Sequence, residues 1–298
     1  MRPLLLLGFV CGLAVNAWAQ DSLPTTPKWR KPFVWSATGA SFAGSLVVLD
    51  QLWFADYPRS NFHFFNDLNQ WGGMDKTGHA LSTYLIGENL YRINRWAGMK
   101  PKAALWTGSL TGWTYQAVIE VLDGFSSAWG FSPGDIAANS LGTGLLLSQE
   151  LLWQEQRIRL KYSYWPSEYA PLRPNLLGSS FAESWLKDYN GQRYWLSVNP
   201  SSFVRKGSQS RFPQWLNFAF GHSIRGYTGG SANPYLTGHL ERRQQLFLSL
   251  DIDWTRIHTK KAWLRTLFHA LNYIKVPAPT LEWQSGSGQN LRFHWLFF

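Results

Sequence analysis

Residues 103–122, AALWTGSLTGWTYQAVIEVL, decide the reading of the first half of the chain. The stretch has the length of a bilayer-crossing helix, about 20 residues. Trp106, Thr107, Thr111, Thr114, Tyr115, Gln116 and Glu120 nevertheless make it too polar to face lipid on all sides, so it is expected at the centre of a helical assembly. Gly108, Ser109 and Gly112 would let a neighbouring backbone come close. Three further segments, 35–54, 76–95 and 133–153, have similar length and carry Gly39, Gly44, Ser45, Gly142 and Gly144. Together they predict a helical bundle over 30–153, rich in small residues. The first segment is the most lipid-compatible, and its Asp50 then needs a partner or the membrane interface.

Helix starts are written in the sequence. Ser132-Pro133-Gly134-Asp135 places a hydroxyl at the N-cap, proline at the first helical position and an acid at the third. Asp75, after Gly72-Gly73-Met74, is expected to cap the helix that carries Lys76 and His79.

Beyond Trp153 the pattern changes. Pro166, Pro171 and Pro174 mark 154–176 as a linker, and shorter period-2 runs follow at 193–199, 216–221, 248–254 and 291–298. Trp263, Leu264, Leu267, Phe268 and Leu271 recur instead at helical spacing. The ending Phe293, Trp295, Phe297, Phe298 is reminiscent of outer-membrane barrel strands, but the runs are fewer than the roughly eight strands of a small barrel. The expectation is a mainly α protein: the bundle, then a smaller α+β region over 177–298 with short antiparallel strands.

At the other end, Arg2, the apolar run Leu4–Ala14 and Ala17-Trp18-Ala19 before Gln20 have the anatomy of a cleavable signal peptide over 1–19. Export across a bacterial inner membrane follows. Cys11 is the only cysteine and lies inside that segment, so a disulfide, a thiol nucleophile and a thiolate metal site are not expected. Gly8-Phe9-Val10 also lacks the pattern that precedes a lipidated cysteine.

Composition points to an envelope surface. The chain holds 18 Trp and 16% aromatic residues but only 15% charged ones, against about 25% in average domains. Amphipathic rings favour boundaries that are apolar on one side and wet on the other. Residues 1–152 carry ten basic and ten acidic side chains, so the net charge of +10 comes wholly from 153–298. In an exported protein such a surface suits membrane lipid, lipopolysaccharide or anionic cell-wall material, in periplasm or outer membrane, rather than nucleic acid.

Three polar stretches interrupt this background: Asp75-Lys76-x-x-His79, Glu120-x-x-Asp123 and Asp135-x-x-x-Asn139-x-x-Gly142. On helices each spacing shares one face. If the helices are antiparallel neighbours, the stretches meet at one end. His79, Glu120 and Asp123 are the candidates for acid/base work, and Lys76 and Asn139 for a phosphate or oxyanion. Asp75 and Asp135 are candidate oxygen ligands for a metal ion, though no particular cofactor is indicated. Each also has a plainer reading, as helix cap, ion pair or interhelical hydrogen bond. H-E-x-x-H, G-x-S-x-G and P-loop patterns are absent.

From Trp53 to Leu152 the sequence resembles the DUF2279 or YfiM-like group of uncharacterised exported bacterial proteins. The likeness rests on Trp71 before Asp75-Lys76 and His79, on Glu120-x-x-Asp123-Gly124-Phe125-Ser126, and on Gly130-Phe131-Ser132-x-x-Asp135-x-x-x-Asn139-x-x-Gly142. A more distant likeness, to VanZ-like membrane proteins, lies in the Asp75 and Asp135 motifs. The sequence departs from that pattern at Asp123, where a Gln is usual, and lacks the Arg that precedes the final motif. Two functions remain open: an envelope protein that binds lipid or cell-wall material, or a hydrolase or transferase acting on a phosphorylated envelope lipid or glycan precursor.

Overall fold

The computed structural model describes residues 26–54, 57–204, 213–286, 288 and 290–298. The signal-peptide segment and Cys11 lie outside them. The chain divides into a helical unit (Met1–Asp67, Ser82–Glu155, Thr259–Leu267) and a sheet unit (Leu68–Leu81, Gln156–His258, Phe268–Phe298).

The four long segments are helices: α1 Arg30–Leu49, α2 Met74–Trp96, α3 Pro101–Asp123 and α4 Pro133–Leu152. Pro101 begins α3 after extended Lys100, and Ser132 caps α4 by accepting the Asp135 N–H at 3.2 Å. Asp75 is not a cap. It stands inside the first turn of α2, which is entered through Trp71, Gly72 and Gly73, all at positive φ.

Close approach between α2 and α3 is built on the predicted small residues. A Cβ on Gly108 would stand 2.5 Å from the Tyr91 nitrogen and 3.0 Å from the Gly87 carbonyl oxygen, and one on Gly112 would stand 3.1 Å from the Gly87 nitrogen. Gly39, Gly44 and Gly144 have open space instead, so only part of the glycine pattern serves packing. Centrality also falls differently. Along α2 only Arg95 is exposed, whereas α3 turns Trp106, Leu110, Val118 and Val121 outward. α1 lies against the other helices through Val34 beside Trp96 and Ala97, and through Phe42 and Ser45 on Tyr115, whose hydroxyl is 2.6 Å from that of Ser45. Asp50 finds its partner in Arg59 at 2.6 Å, both half exposed.

In the second half the expected small α+β region with short strands is overturned. Six strands form one antiparallel meander in chain order: β1 Ile158–Tyr164, β2 Gln192–Val198, β3 Leu216–Arg225, β4 Arg243–Ile252, β5 Ala278–Gln284 and β6 Leu291–Phe297. The helices within it, α5 Pro174–Leu177, α6 Phe181–Lys187 and α7 Ala262–Leu271, are short, α7 carrying the helical spacing seen in the sequence. The architecture is thus a helical region followed by a strand-rich one. β1 occupies the stretch read as linker, and β5 begins Ala278-Pro279, where a proline argues against a strand. The sheet accommodates Pro279 at a register shift between β5 and β6.

The sheet buries its polar side chains. Along β4, Gln245, Phe247, Ser249 and Asp251 are buried while Leu246, Leu248 and Leu250 are exposed. Inside, Lys161 pairs with Asp251 at 2.7 Å, Ser197 donates to Asp251 at 2.6 Å and Asn217 donates to Ser197 at 2.9 Å. A small apolar knot of Trp195, Ala219 and Phe247, with Phe297 against it, completes the interior.

Candidate functional site

The predicted polar residues form one group within each unit. In the sheet unit, the left-handed run Trp71-Gly72-Gly73 aims the first turns of α2. A Cβ on Gly72 would meet Ile224 and Tyr227, and the Trp71 N–H donates to the Gly230 carbonyl at 3.0 Å. Asp75, Lys76 and His79 then share the start of the helix. The Asp75 carboxylate receives the Lys76 ammonium at 3.2 Å on one oxygen. Its other oxygen takes the Tyr189 hydroxyl at 2.8 Å and lies 3.9 Å from His79 Nε2.

Burial works to raise the Asp75 carboxyl, but His79, Lys76 and Tyr189 together outweigh it and hold the group below the usual carboxylate range. Asp75 is therefore an anion at neutral pH. A metal ion bound there would have to displace the Lys76 ammonium or share the Asp75 carboxylate with it.

Tyr189 was not anticipated. It sits in the turn before β2, where Asn190 exchanges hydrogen bonds with the Tyr227 backbone at 2.8 Å each way, and Asp188 accepts the Ser167 N–H at 3.1 Å. Its ring also lies 5.3 Å from that of Trp71. Nothing local in Lys187-Asp188-Tyr189-Asn190-Gly191 distinguishes this tyrosine from one in an ordinary turn.

In the helical unit, Glu120, Asp135 and Asn139 are all buried. Glu120 Oε2 accepts the Ser132 N–H at 3.2 Å, and the Ser132 hydroxyl donates to Asp67 at 2.6 Å while capping Asp135. Ser132 thus joins the end of α3, the start of α4 and the segment before α2. Asp123 is half buried at the last position of α3, and its carbonyl accepts the Ser126 N–H at 3.0 Å.

The glycines of these motifs have a steric basis. Residues 58–65 run beside 124–131, with Phe65 donating to the Phe131 carbonyl and Phe131 to that of His63, both at 2.9 Å. A Cβ on Gly124 would strike the Phe62 ring, and one on Gly130 would lie 2.6 Å from Phe65 Cβ. Phe62, Phe64, Phe125 and Phe131 form the ring cluster that results.

Comparison with known proteins bears out the family resemblance over this region. Residues 63–149 match the family DUF2279, described as "Predicted periplasmic lipoprotein". The matched span runs from His63, through both polar groups, to Gln149 near the end of α4. Export to the periplasm agrees with that description. Lipidation was not expected from Gly8-Phe9-Val10-Cys11, and those residues are outside the described ones. No curated protein and no solved structure matches the chain.

Proposed function

We propose that this is an exported envelope protein whose helical unit contacts a lipid bilayer directly, with its polar groups acting to lock the helices together. One observation carries the reading: beside apolar residues such as Tyr84, Leu85, Leu105 and Leu146, that unit buries a set of polar side chains and turns large apolar ones outward. Thr83, Glu88, Ser109, Gln116, Glu120 and Asn139 are buried, whereas Phe33, Trp35, Val47, Leu110, Val121 and Leu141 are exposed. Helices folded for water put their apolar stripe inside. Lipid reverses the demand, because polar side chains there gain most by bonding one another. α1 adds support: its 20 residues have a mean hydropathy of 1.4 over the most apolar window, of which only 6% is buried. The basic second half suits anionic lipid or lipopolysaccharide headgroups as the accompanying partner.

Membrane fractionation tests this. The protein is expected to stay with membranes through high salt and carbonate and to leave them only in detergent. Release by salt would mean electrostatic adsorption, and release by carbonate a peripheral protein; either overturns the embedded reading.

The grouping of Lys76, His79 and Tyr189 around Asp75 favours a second reading, a hydrolase or transferase on a phosphorylated envelope lipid or glycan precursor. His79 would move the proton, Asp75 would orient it, and Lys76 would neutralise phosphate. On that reading His79→Ala loses complementation of a deletion strain while keeping its unfolding temperature. On the first, complementation is retained, or is lost only together with several degrees of stability.

A further inference from the structure

The outward face of the sheet is the least expected surface of the molecule. The β3–β4 ladder pairs Leu216 with Ile252 at one end and Arg225 with Arg243 at the other. Between those ends the outward positions are Phe218, Phe220 and His222 on β3 and Gln244, Leu246, Leu248 and Leu250 on β4, while Ile224, next in that row, is buried against Gly72 and lies outside the exposed face. The series continues through Leu281 and Trp283 on β5 and Phe293 and Trp295 on β6. None of these side chains carries a fixed charge. Phe220 is 52% exposed and Leu248 45%, while inward Ser249 is 4% exposed.

The sheet cannot be turned over to hide this face. Its other face is already closed by the Lys161–Asp251 pair and by Ser197, Asn217 and Thr280, the last donating to Ser249 at 2.8 Å. A register slip by one residue would expose that network and bury leucines in its place.

We infer that the outward face of β3–β6 meets the acyl chains of a lipid bilayer, so that the sheet unit is lipid-facing in its own right. This extends the lipid reading of the helical unit to a second, independent surface. Shape favours a continuous medium over a discrete partner. The ring of Trp165, just past β1, lies 5.9 Å from that of Phe298, just past β6, and Phe297 on β6 touches Phe247 on β4 and lies under the Arg193 guanidinium from β2. The sheet is therefore rolled, and its apolar positions follow the roll across four strands. A protein partner of ordinary size covers a single patch, about 800 Å² on each side.

Length agrees as well. β3 and β4 have ten residues each. At about 3.3 Å per residue and a tilt near 45°, such strands cover about 23 Å along a membrane normal, close to the roughly 25 Å apolar band of outer-membrane sheets. Trp215 stands immediately before β3, placing an indole at the Leu216–Ile252 end of the ladder. Indoles favour that headgroup level.

Spin labels test the inference. In a Cys11→Ala background, Phe220→Cys, Leu248→Cys and Leu281→Cys are labelled singly in full-length protein reconstituted into phosphatidylethanolamine–phosphatidylglycerol vesicles. Collision with dissolved oxygen is expected to exceed collision with a water-soluble nickel chelate at all three. Nickel-dominated collision, or an immobilised label that meets neither reagent, overturns the inference in favour of water or a protein partner. Labels at Leu110→Cys and Leu141→Cys read the helical unit in the same vesicles. If those face lipid and the sheet labels do not, the inference fails while the proposed function stands. Should a label prevent reconstitution, quenching of native tryptophan by brominated lipid decides: Trp283→Phe and Trp295→Phe are each expected to lower the quenched fraction, and no change in either overturns the inference.

Discussion

Alanine at Gly108 is expected to destabilise the helical unit by about 1–3 kcal/mol, although alanine is the better helix former. Propensity alone gives Gly→Ala a gain of up to about 1 kcal/mol in a helix interior. Against it stand the Tyr91 nitrogen at 2.5 Å, the Leu90 carbonyl carbon at 2.9 Å and the Gly87 carbonyl oxygen at 3.0 Å from the new Cβ. These are backbone atoms of α2 and cannot rotate away, so α2 and α3 must separate along their whole contact. Gly144→Ala and Gly39→Ala are the controls, since nothing lies within 4 Å of either Cβ. They are expected to leave stability unchanged or raise it slightly. Thermal unfolding of the three variants in one detergent checks the sign of each. A Gly108→Ala protein as stable as the unsubstituted one would mean that the α2–α3 contact is not close-packed.

Much of the helical half can be read from the sequence because its signals are local. Ser132-Pro133-Gly134-Asp135 both names and performs its cap, and the Gly108-x-x-x-Gly112 spacing marks a face that packs. The composition of 103–122 predicts a central helix, yet that place falls to α2. Polar content tells that one face of α3 is buried, while Trp106 and Leu110 on the opposite face decide its position.

Strands were harder to read for a physical reason. Period-2 alternation finds a strand but not which face is inside. In β1 the buried residues are Arg159, Lys161 and Ser163, so a stretch that folds inside out looks like solvated linker leading into Pro166, Pro171 and Pro174. The same inversion made the sheet seem small. Within the candidate site, the Asp75–His79 relation follows from an i,i+4 spacing. Tyr189, 114 residues from Asp75, reaches it only because the turn before β2 is fixed by Asn190 and Asp188. No local pattern carries such a contact.

Breaking the Lys161–Asp251 pair is expected to have the largest effect of any single change in the sheet unit. Both side chains are fully enclosed, and the Lys161 ammonium also donates to the Ile252 carbonyl at 2.7 Å and to Asn272 at 3.1 Å. Asp251 in turn holds the Ser197 hydroxyl, which receives Asn217, so one carboxylate organises β2, β3 and β4 from within. Removing either partner strands an opposite charge where water is excluded, at a cost of about 3–5 kcal/mol. Lys161→Met and Asp251→Leu are each expected to unfold the sheet at markedly lower denaturant. The double variant is expected to recover part of the loss, because neither member of the pair is then left without the other, while the enclosed Lys275 ammonium still loses the support of Asp251. Denaturant unfolding of all four proteins gives the coupling directly. Additive losses would mean that the two charges do not depend on each other, and single losses under about 1 kcal/mol would mean that water reaches them, as at an exposed pair.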